Sequence, residues 1–381
     1  MLPLAGVKVV EIAENLAGPY AGQILALMGA DVLKVERPEG DNARGWGPPF
    51  HGGMATTFHA MNQNKRSITL DFRNEDDFAW LVERIGQSDV VVQNMRPGAL
   101  EKLGLGAAAM VAANKRLVYC SLWALGSVGP RRMSPGFEPM VQAFSGLFAL
   151  NGDPAGAPSR IGVQVLDLGT GMWAAMGILA ALLRRQNTGA GGIVDTSLLE
   201  TAMGWMSGHW AAYAESGKHP QRDRSGNPRV VVFQAVPTAD RELVVAAATD
   251  RLFAKLAAEL GHPEWAADPR YATNAARAGN KDEIIGLIAA IMTQKPSAYW
   301  EERFEAIGVP CAVINDMGVL HTDTQVAALG MLAPPPGMTL PLMGLPISFD
   351  GERPPVRHGA PGLGADNSAE GVRNETRQSA I

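Results

Sequence analysis

The chain has 381 residues, more than a single hydrophobic core usually organises, so its length predicts two domains. Its hydrophobic and charged fractions, 46% and 19%, are typical of a globular protein. The net charge of −5 argues against nucleic acid or an anionic membrane as the main partner. The two cysteines are too few for a disulfide scaffold and suit a reducing cytoplasm.

The N-terminus and the most apolar stretch both predict a protein outside the membrane. Residues 1–4 lead directly into a strand pattern, without the basic region or cleavage site of a signal peptide. Residues 168–183 are the most apolar stretch, but Arg184 and Arg185 follow at once. This stretch looks too short to span a bilayer, and we expect a buried core helix.

The first half of the chain predicts alternating strands and helices. A strand at 7–12, a helix at 20–28 and a strand at 31–36 form a βαβ unit. Further strands are predicted at 67–71, 89–94, 116–122 and 193–197, with a helix at 75–86. The alternation predicts an α/β fold with a doubly wound parallel sheet. No G-x-G-x-x-G follows the first strand and no P-loop is present, which argues against NAD or ATP chemistry.

Several cationic residues lie near the predicted strand ends. They are Arg37, Lys65, Arg66, Arg73, Arg96 and Lys102. In open α/β sheets, ligands bind in the crevice at the carboxyl ends of the strands. Cations there would suit a phosphorylated nucleotide, while an ordinary scatter of surface basic residues remains the alternative.

Asp167 stands at the centre of the sequence pattern. A β-type run at 163–166 precedes it, Gly169 and Gly171 follow, and an apolar helix is predicted over 172–183. The position predicts a helix N-cap, where an aspartate commonly accepts backbone hydrogen bonds. The other interpretation is a carboxylate nucleophile beside N–H donors that can stabilise an oxyanion. Spacing alone leaves both interpretations open.

The second half predicts a smaller α+β unit. A long helix at 198–216 leads into a polar linker at 218–228, followed by strands at 243–247 and 312–314. Helices are predicted at 250–260, 281–293 and 297–307, and a run rich in proline and glycine at 332–353. The last ten residues are expected to be poorly ordered. The seven histidines lack metal-ligand spacing, so we expect no metal site.

Several short motifs, in this order along the chain, resemble the motifs of a known protein family. They are Ala17-Gly18-Pro19, Glu36-Arg37-Pro38, Arg44-Gly45-Trp46-Gly47-Pro48-Pro49, Asn64-Lys65-Arg66-Ser67, Asn94-Met95-Arg96-Pro97-Gly98, Asp167-x-x-Thr170-Gly171 and Gly308-Val309-Pro310-Cys311. With them the chain strongly resembles the family III (CaiB/BaiF) coenzyme A transferases, the formyl-CoA transferase and carnitine CoA-transferase group.

The resemblance implies a fold and a reaction. A large Rossmann-like domain would be built from both chain ends, 1–217 and 332–381, and a small α+β domain from 229–331, with 218–228 as linker. Two chains would form an interlocked homodimer. The substrates would be an acyl-CoA and a carboxylic acid, with coenzyme A present as a thioester substrate and no tightly bound cofactor. Asp167 takes the place of the family's nucleophile.

The same resemblance implies roles for other residues. Those matching the coenzyme A contacts are Arg37, Leu70, Arg73, Asn94, Met95, Arg96 and Lys102. Those matching the acyl pocket are Trp46, Phe137 and Glu138. The chain departs from the family at Phe137, where many members have tyrosine, and after Asn227, where formyl-CoA enzymes have a run of glycines. The motif at 363–367 also differs from the family pattern.

Two alternative functions fit the same resemblance. An α-methylacyl-CoA racemase would use a histidine base where this chain has Phe137, a side chain that cannot accept a proton. A non-catalytic coenzyme A-binding protein would be expected to lack the nucleophile, yet Asp167 is present. Trapping of an aspartyl adduct with hydroxylamine distinguishes the transferase from both.

Overall fold

The computed structural model describes residues 1–227 and 229–372. The strands are β1 (Lys8–Ile12), β2 (Asp31–Glu36), β3 (Phe50–His51), β4 (Met54–Ala55), β5 (Arg66–Thr69), β6 (Val90–Gln93), β7 (Val118–Trp123), β8 (Gly192–Ser197), β9 (Phe233–Pro237), β10 (Glu242–Ala246), β11 (Cys311–Val313), β12 (Leu332–Ala333) and β13 (Leu342–Met343).

The α-helices are α1 (Ala17–Leu27), α2 (Thr56–Met61), α3 (Glu75–Gly86), α4 (Ala99–Lys102), α5 (Ala107–Ala113), α6 (Glu138–Ser145), α7 (Leu147–Leu150), α8 (Val165–Thr188), α9 (Leu198–Trp205), α10 (Ser207–Ser216), α11 (Asp250–Glu259), α12 (Asn274–Gly279), α13 (Lys281–Met292), α14 (Ser297–Ala306), α15 (Met317–Thr322) and α16 (Thr324–Ala328). Short 3₁₀ helices cover Asn42–Gly45 and Pro263–Ala266.

A six-stranded parallel sheet forms the centre of the larger unit. Its strand order is β5-β2-β1-β6-β7-β8, and every pairing in it is parallel. Counted along the chain, this is the 3-2-1-4-5-6 order of Rossmann-type folds. The predicted parallel sheet is therefore confirmed. The order reverses between β1 and β6, which opens a crevice at the carboxyl ends of these two strands.

Helices cover both faces of this sheet. On one face α1 packs against the first turns of α8, and the two helices approach closely because a Cβ at Gly171 would lie 2.7 Å from the Ala17 carbonyl oxygen. On the other face Leu81 and Ile85 of α3 complete a hydrophobic core with the strands. Burial on both faces explains why β6 reads as a continuous run of valines.

Charged side chains are buried beneath the carboxyl end of β1. They are Glu11, Lys34, Glu36, Asp41 and Lys65, each less than 5% exposed. Lys34 Nζ lies 3.2 Å from the Glu11 carboxylate and 2.9 Å from that of Asp41. Lys65 Nζ lies 2.8 Å from the other Glu11 oxygen. Each buried charge is therefore offset by an opposite one, as burial requires.

The segment 363–367 covers the edge of the sheet at β5. The carboxylate of Asp366 accepts a hydrogen bond from the Ser67 N–H at 2.9 Å, and the side-chain Oδ1 of Asn367 accepts one from the Thr69 N–H, also at 2.9 Å. The Asp366 N–H donates in turn to the Ser67 carbonyl. These side chains satisfy the otherwise open edge of the outer strand, which gives the unusual C-terminal motif a structural role.

The smaller unit contains residues 148–159 and 218–324, whereas residues 1–147, 160–217 and those from 325 onward form the larger one. Its sheet is antiparallel, in the order β11-β10-β9. Helices α11, α13 and α14 contribute Phe253, Ile288 and Phe304 to a core with these strands. Segment 148–159 belongs here by its contacts, a grouping that pattern reading along the chain did not predict.

The structure differs from the sequence-based expectations in two helices. The predicted single helix at 198–216 is wrong, because the helix is interrupted at Met206 between Gly204 and Gly208, two poor helix formers. The apolar stretch at 168–183 was expected to be too short to span a bilayer, and this expectation is also wrong. Helix α8 has 24 residues, and by length and composition alone it could cross a membrane. Half of its most apolar window is buried inside the protein. The last ten residues, 372–381, were expected to be poorly ordered. Except for Val372, they lie outside the residues that the structure describes.

Candidate active site

Asp167 lies in the first turn of α8. The helix begins at Val165 with Gln164 as its N-cap, so the predicted N-cap role of Asp167 is wrong, as is the predicted strand at 163–166. The alternation of β-branched residues before Asp167 suggested a strand, but the backbone already turns at Val163, whose carbonyl accepts the Val165 N–H. As the third helical residue, Asp167 remains beside the N–H groups that the first turn leaves free.

Gly169 and Gly171 lie inside α8 and allow close helix packing. A Cβ at Gly169 would lie 2.3 Å from the Trp205 ring. Between these glycines, Thr170 is fully buried, and its hydroxyl lies 2.8 Å from that of Thr201. Because the Thr201 hydroxyl already donates to the Ser197 carbonyl, Thr170 is the donor between the two. The first turn of α8 is therefore fixed against α9.

A cavity of about 110 Å³ opens in front of Asp167. Its walls come from the carboxyl ends of β1, β6 and β7 and from the starts of α1, α6, α8 and α9. The residues lining it are Asn15, Leu16, Ala17, Trp46, Asn94, Leu122, Trp123, Ala124, Gly136, Phe137, Glu138, Asp167, Thr170 and Leu198. The structure thus brings the predicted nucleophile together with all three residues predicted for the acyl pocket.

Glu138 is the second carboxylate in this cavity. Its side chain is 2% exposed, and Arg160 Nη2 donates to its Oε2 at 3.1 Å. The Gln142 amide donates to the other oxygen, Oε1. The Leu166 N–H approaches that same oxygen at 3.5 Å. These contacts hold the side chain of Glu138, the first residue of α6, beside the first turn of α8.

The environment of Asp167 raises its pKa to about 7. Burial is the largest cause, because a desolvated carboxylate is less stable as an anion. The negative charge of Glu138 raises the pKa further, while the positive charge of Arg160 lowers it. A carboxylate with few solvating partners is a stronger nucleophile than one in water, and Asp167 can still ionise near neutral pH.

A larger cavity, of about 390 Å³, opens at the same edge of the sheet. It lies at the carboxyl ends of β1, β2, β5 and β6. The residues lining it are Ile12, Ala13, Glu14, Val35, Arg37, Pro38, Glu39, Leu70, Asp71, Phe72, Arg73 and Met95. Of the predicted coenzyme A contacts, Arg37, Leu70, Arg73 and Met95 line this cavity and Asn94 lines the smaller one, whereas Arg96 and Lys102 are exposed and line neither.

The two arginines of the larger cavity differ in their freedom. Arg37 Nε donates to the Gly40 carbonyl at 2.9 Å, which fixes the guanidinium at the rim. Arg73 makes a bidentate pair with Asp71, at 2.9 and 2.8 Å, and its side chain is 87% exposed. Arg37 Nε also lies 3.8 Å from a Glu14 carboxylate oxygen. An anionic ligand must therefore compete with a carboxylate at both arginines, and most strongly with Asp71 at Arg73.

Four of the six cations predicted for a polyanionic ligand line neither cavity. Arg96 and Lys102 are exposed outside them, and the prediction is wrong for Lys65 and Arg66, which lie elsewhere. Lys65 is buried and donates to the Pro19 carbonyl and the Asn62 side chain, at 2.7 and 2.8 Å. Arg66 is the first residue of β5, at the amino edge of the sheet, where it pairs with Asp31. A position near a strand end does not reveal at which end of the sheet a side chain lies.

Glu14 and Asn15 were missed by the sequence reasoning. They follow β1 directly, at the point where the strand order reverses, and line the larger and the smaller cavity respectively. The signal that could have found them is their place after the first strand of a doubly wound sheet. Within residues 1–227 and 229–372, no cluster of three or more His, Cys, Asp or Glu could hold a metal ion.

Comparisons with known proteins agree along most of the chain. Residues 4–367 match the model of CoA-transferase family III. The succinate–glutarate CoA-transferase of Agrobacterium fabrum is 36% identical over 374 residues, which cover 94% of this chain and 92% of that relative. The succinyl-CoA–D-citramalate CoA-transferase of Chloroflexus aurantiacus is 37% identical over 330 residues, or 86% of this chain and 82% of that protein.

Solved structures include a similar fold. The crystal structure of a CaiB/BaiF family protein from Brucella suis matches with a TM-score of 0.86 and 37% sequence identity. The match covers 96% of this chain and 98% of that one.

Proposed function

Because the chain belongs to CoA-transferase family III, as its motifs predicted, we propose that it transfers coenzyme A through covalent intermediates on Asp167. The chain is a CoA-transferase by family; the covalent route and the roles of individual residues are the proposal. The observation that carries it is a poorly solvated carboxylate, with a pKa of about 7, in a cavity at the point where the strand order reverses.

The first half-reaction consumes the acyl-CoA donor. An Asp167 carboxylate oxygen attacks the thioester carbonyl, the C–S bond breaks, and a mixed anhydride and the coenzyme A thiolate form. The thiolate then attacks the aspartyl carbonyl, which expels the donor acid as its carboxylate and leaves an aspartyl-CoA thioester. No proton is gained or lost overall, so neither step requires a general base.

The second half-reaction is the reverse with another acid. The acceptor carboxylate attacks the aspartyl-CoA carbonyl and releases the thiolate, which gives a second anhydride. The thiolate attacks the acceptor's acyl carbon, the new acyl-CoA forms, and Asp167 returns to its carboxylate form. Every step exchanges one activated acyl group for another, so the energy of the thioester is conserved without ATP.

The surroundings of Asp167 fit the needs of these steps. Tetrahedral oxyanions require donors, and both α1 and α8 begin at the cavity, at Ala17 and Val165. Anhydrides require exclusion of water, and Trp46 and Phe137 present aromatic surface at the cavity. Phe137 has no proton-accepting group, which argues against the racemase alternative.

The larger cavity is proposed to hold the nucleotide part of coenzyme A. Arg37 and Arg73 would contact phosphate groups, and Met95 and the backbone at Leu70 would contact the base. Arg96 and Lys102 lie outside this cavity in one chain, so their contribution is proposed as attraction of the polyanion from the surface.

We propose a homodimer with the interlocked arrangement that the family resemblance implies. Helix α8 exposes Met172, Trp173, Met176 and Leu183, each at least 44% accessible. A second copy of the chain would cover this apolar surface, which also accounts for the apolar composition of the helix. We place the reaction in the cytoplasm, where the thiols of Cys120 and Cys311 stay reduced.

Trapping of the intermediate tests the covalent route. The protein is incubated with an acyl-CoA and hydroxylamine, and peptides are examined by mass spectrometry for a hydroxamate at Asp167. The acceptor panel starts with succinate and glutarate, the acids in the name of the Agrobacterium fabrum relative. Asp167→Ala should abolish transfer and the adduct, while Asp282→Ala, at an exposed carboxylate, should change neither. Product formation without modification of Asp167 would refute the proposal.

A further inference from the structure

Lys65 lies beneath the first turn of α1 and is fully enclosed. Its Nζ donates to the Pro19 carbonyl at 2.7 Å and to the Asn62 side chain at 2.8 Å, and it lies 2.8 Å from Glu11 Oε2. The side chains of Lys65 and Glu11 are both 0% exposed. Desolvation of an ammonium group is unfavourable, and Lys65 lines neither cavity, so ligand binding does not explain why this lysine is buried.

Helix α1 packs closely on this ion pair. A Cβ at Gly22 would lie 1.8 Å from Glu11 Oε2 and 3.4 Å from Lys65 Cε. Because Gly22 follows Pro19 by three residues, both lie on the same face of the helix. The missing side chain at Gly22 lets the backbone of α1 approach the pair, and the ammonium group binds the Pro19 carbonyl. The position of the first turn of α1 is therefore set by a buried charge outside that helix.

The same buried cluster holds the turn that precedes α1. Lys34 Nζ donates to the Ala13 carbonyl at 2.7 Å and lies 3.2 Å from Glu11 Oε1. The Asp41 carboxylate accepts a hydrogen bond from Lys34 at 2.9 Å and another from the Asn15 N–H at 3.0 Å. Hydrogen bonds to charged groups are strong where water is excluded. The backbone is thus fixed on both sides of the start of α1.

The first turn of α1 leaves two donors free, next to the cavity in front of Asp167. The N–H groups of Ala17 and Gly18 have no acceptor among residues 1–227 and 229–372, and Pro19 has no N–H. Ala17 lines the cavity together with Asp167. Donors stabilise a tetrahedral oxyanion only when they point to the place where it forms, and a displacement of about 1 Å can cost about a hundredfold in rate.

We propose that Lys65 is a positioning residue of the transfer reaction, because its ammonium group and Glu11 fix the first turn of α1 where its N–H groups can reach the oxyanion beside Asp167. The proposal rests on the proposed covalent route through Asp167. Since Lys65 lines neither cavity, it acts on the reaction only through α1. Its loss should therefore slow the chemical steps, measured as kcat, while the affinity for acyl-CoA stays nearly unchanged.

The protonation of Lys65 gives this role a pH dependence. Burial lowers the pKa of Lys65 to about 8, against the opposing effect of Glu11 on β1. The other charged groups that act on it are Lys34 on β2, which lowers the pKa, and Asp41, which raises it. A neutral amine has only two hydrogens for the three oxygens around it, so one contact is lost with the proton. The kcat/KM should then fall about five- to tenfold between about pH 7.5 and 9.

Variants at Lys65 test this role. Steady-state kinetics, urea unfolding and hydroxylamine trapping are measured for Lys65→Met, for the double variant Lys65→Met/Glu11→Gln, and for the control Lys8→Met at an exposed site. In both Lys65 variants kcat should fall about a hundredfold, and the KM for acyl-CoA should change by less than about threefold. The loss of kcat/KM above pH 8 should disappear in both. The double variant lacks the carboxylate that Lys65→Met leaves unpaired, which separates lost positioning from lost stability.

Three results would overturn the proposal. One is a native kcat/KM that stays level between about pH 7.5 and 9.5, a measurement that needs no variant. Another is a double variant with native kcat, which would limit Lys65 to offsetting the charge of Glu11. A third is a higher KM with unchanged kcat, which would assign Lys65 to substrate binding. With an Asp167 hydroxamate in the native protein, any of these results removes the positioning role alone, whereas the absence of that hydroxamate removes the covalent route as well.

Discussion

Replacement of Asp167 by asparagine should stabilise the protein while it abolishes transfer. The native environment raises the pKa of Asp167 from 3.8 to about 7, a difference of about 3 units. At about 1.4 kcal/mol per unit, the cost of keeping this group ionised in the folded state reaches at most about 4 kcal/mol. Because Asp167 is half-buried and water screens part of the effect, we expect a gain of about 1 to 3 kcal/mol.

The pH dependence gives this prediction its sign. An acid whose pKa is raised by folding binds its proton more tightly in the folded state than in the unfolded state. The ionised group therefore lowers the free energy of unfolding. This loss is absent below pH 4, grows between about pH 4 and 7, and is constant above pH 7. Asparagine carries no such cost, so the advantage of Asp167→Asn should grow over the same interval.

Urea unfolding of the native protein and of Asp167→Asn, from pH 4.5 to 8.5, measures this difference. Asp282→Asn is the matched control, since it removes one carboxylate from an exposed position on α13. An advantage for Asp167→Asn that is equal at pH 5 and pH 8, or a variant less stable than the native protein at pH 8, would refute the reasoning about burial.

Other predictions follow from the same geometry. The kcat/KM for the donor should fall below about pH 7 as Asp167 takes up a proton. Because the positive charge of Arg160 lowers the pKa of Asp167, Arg160→Met should shift this fall to higher pH. The control Arg132→Met, at an exposed site, should not shift it. Lys34→Met should lower the free energy of unfolding, measured with urea, by about 3 to 5 kcal/mol because it leaves buried carboxylates unpaired. The control Lys8→Met, at an exposed site, should lower it by no more than about 0.5 kcal/mol, and a larger loss would contradict this cause. Gly171→Ala should destabilise by about 1 to 3 kcal/mol and reduce kcat, since its Cβ would meet the Ala17 carbonyl, while Gly204→Ala, with open space around it, should be neutral or stabilising by calorimetry.

The parallel sheet could be predicted from sequence because its signal is local. Short apolar strands alternate with amphipathic helices along the chain, as where β6 follows α3, and the alternation determines the fold class. Element ends were less accessible. The start of α8 was placed too late because Val163 and Val165 favour strands, while the packing of Leu166 into the core favours the helix.

The site could be predicted only where chemistry follows the order of the chain. The family resemblance predicted four site residues that the structure places around one cavity: Asp167, Trp46, Phe137 and Glu138. The burial of Lys65 could not be predicted, because its neighbours along the chain do not show that Glu11 and Asn62 enclose it. The contacts that anchor Asn15 likewise join residues far apart in sequence.

The way segment 363–367 completes strand β5 bears on how the protein is made. The hydrogen bonds that Ser67 and Thr69 form with Asp366 and Asn367 span 299 and 298 positions. A nascent chain must therefore be synthesised as far as residue 367 before the outermost strand acquires these partners, and until then that strand is open to pairing with neighbouring polypeptides. Contacts of such long range also raise contact order, so assembly of the larger unit should be slow, and chaperones that shield a growing sheet should improve its yield.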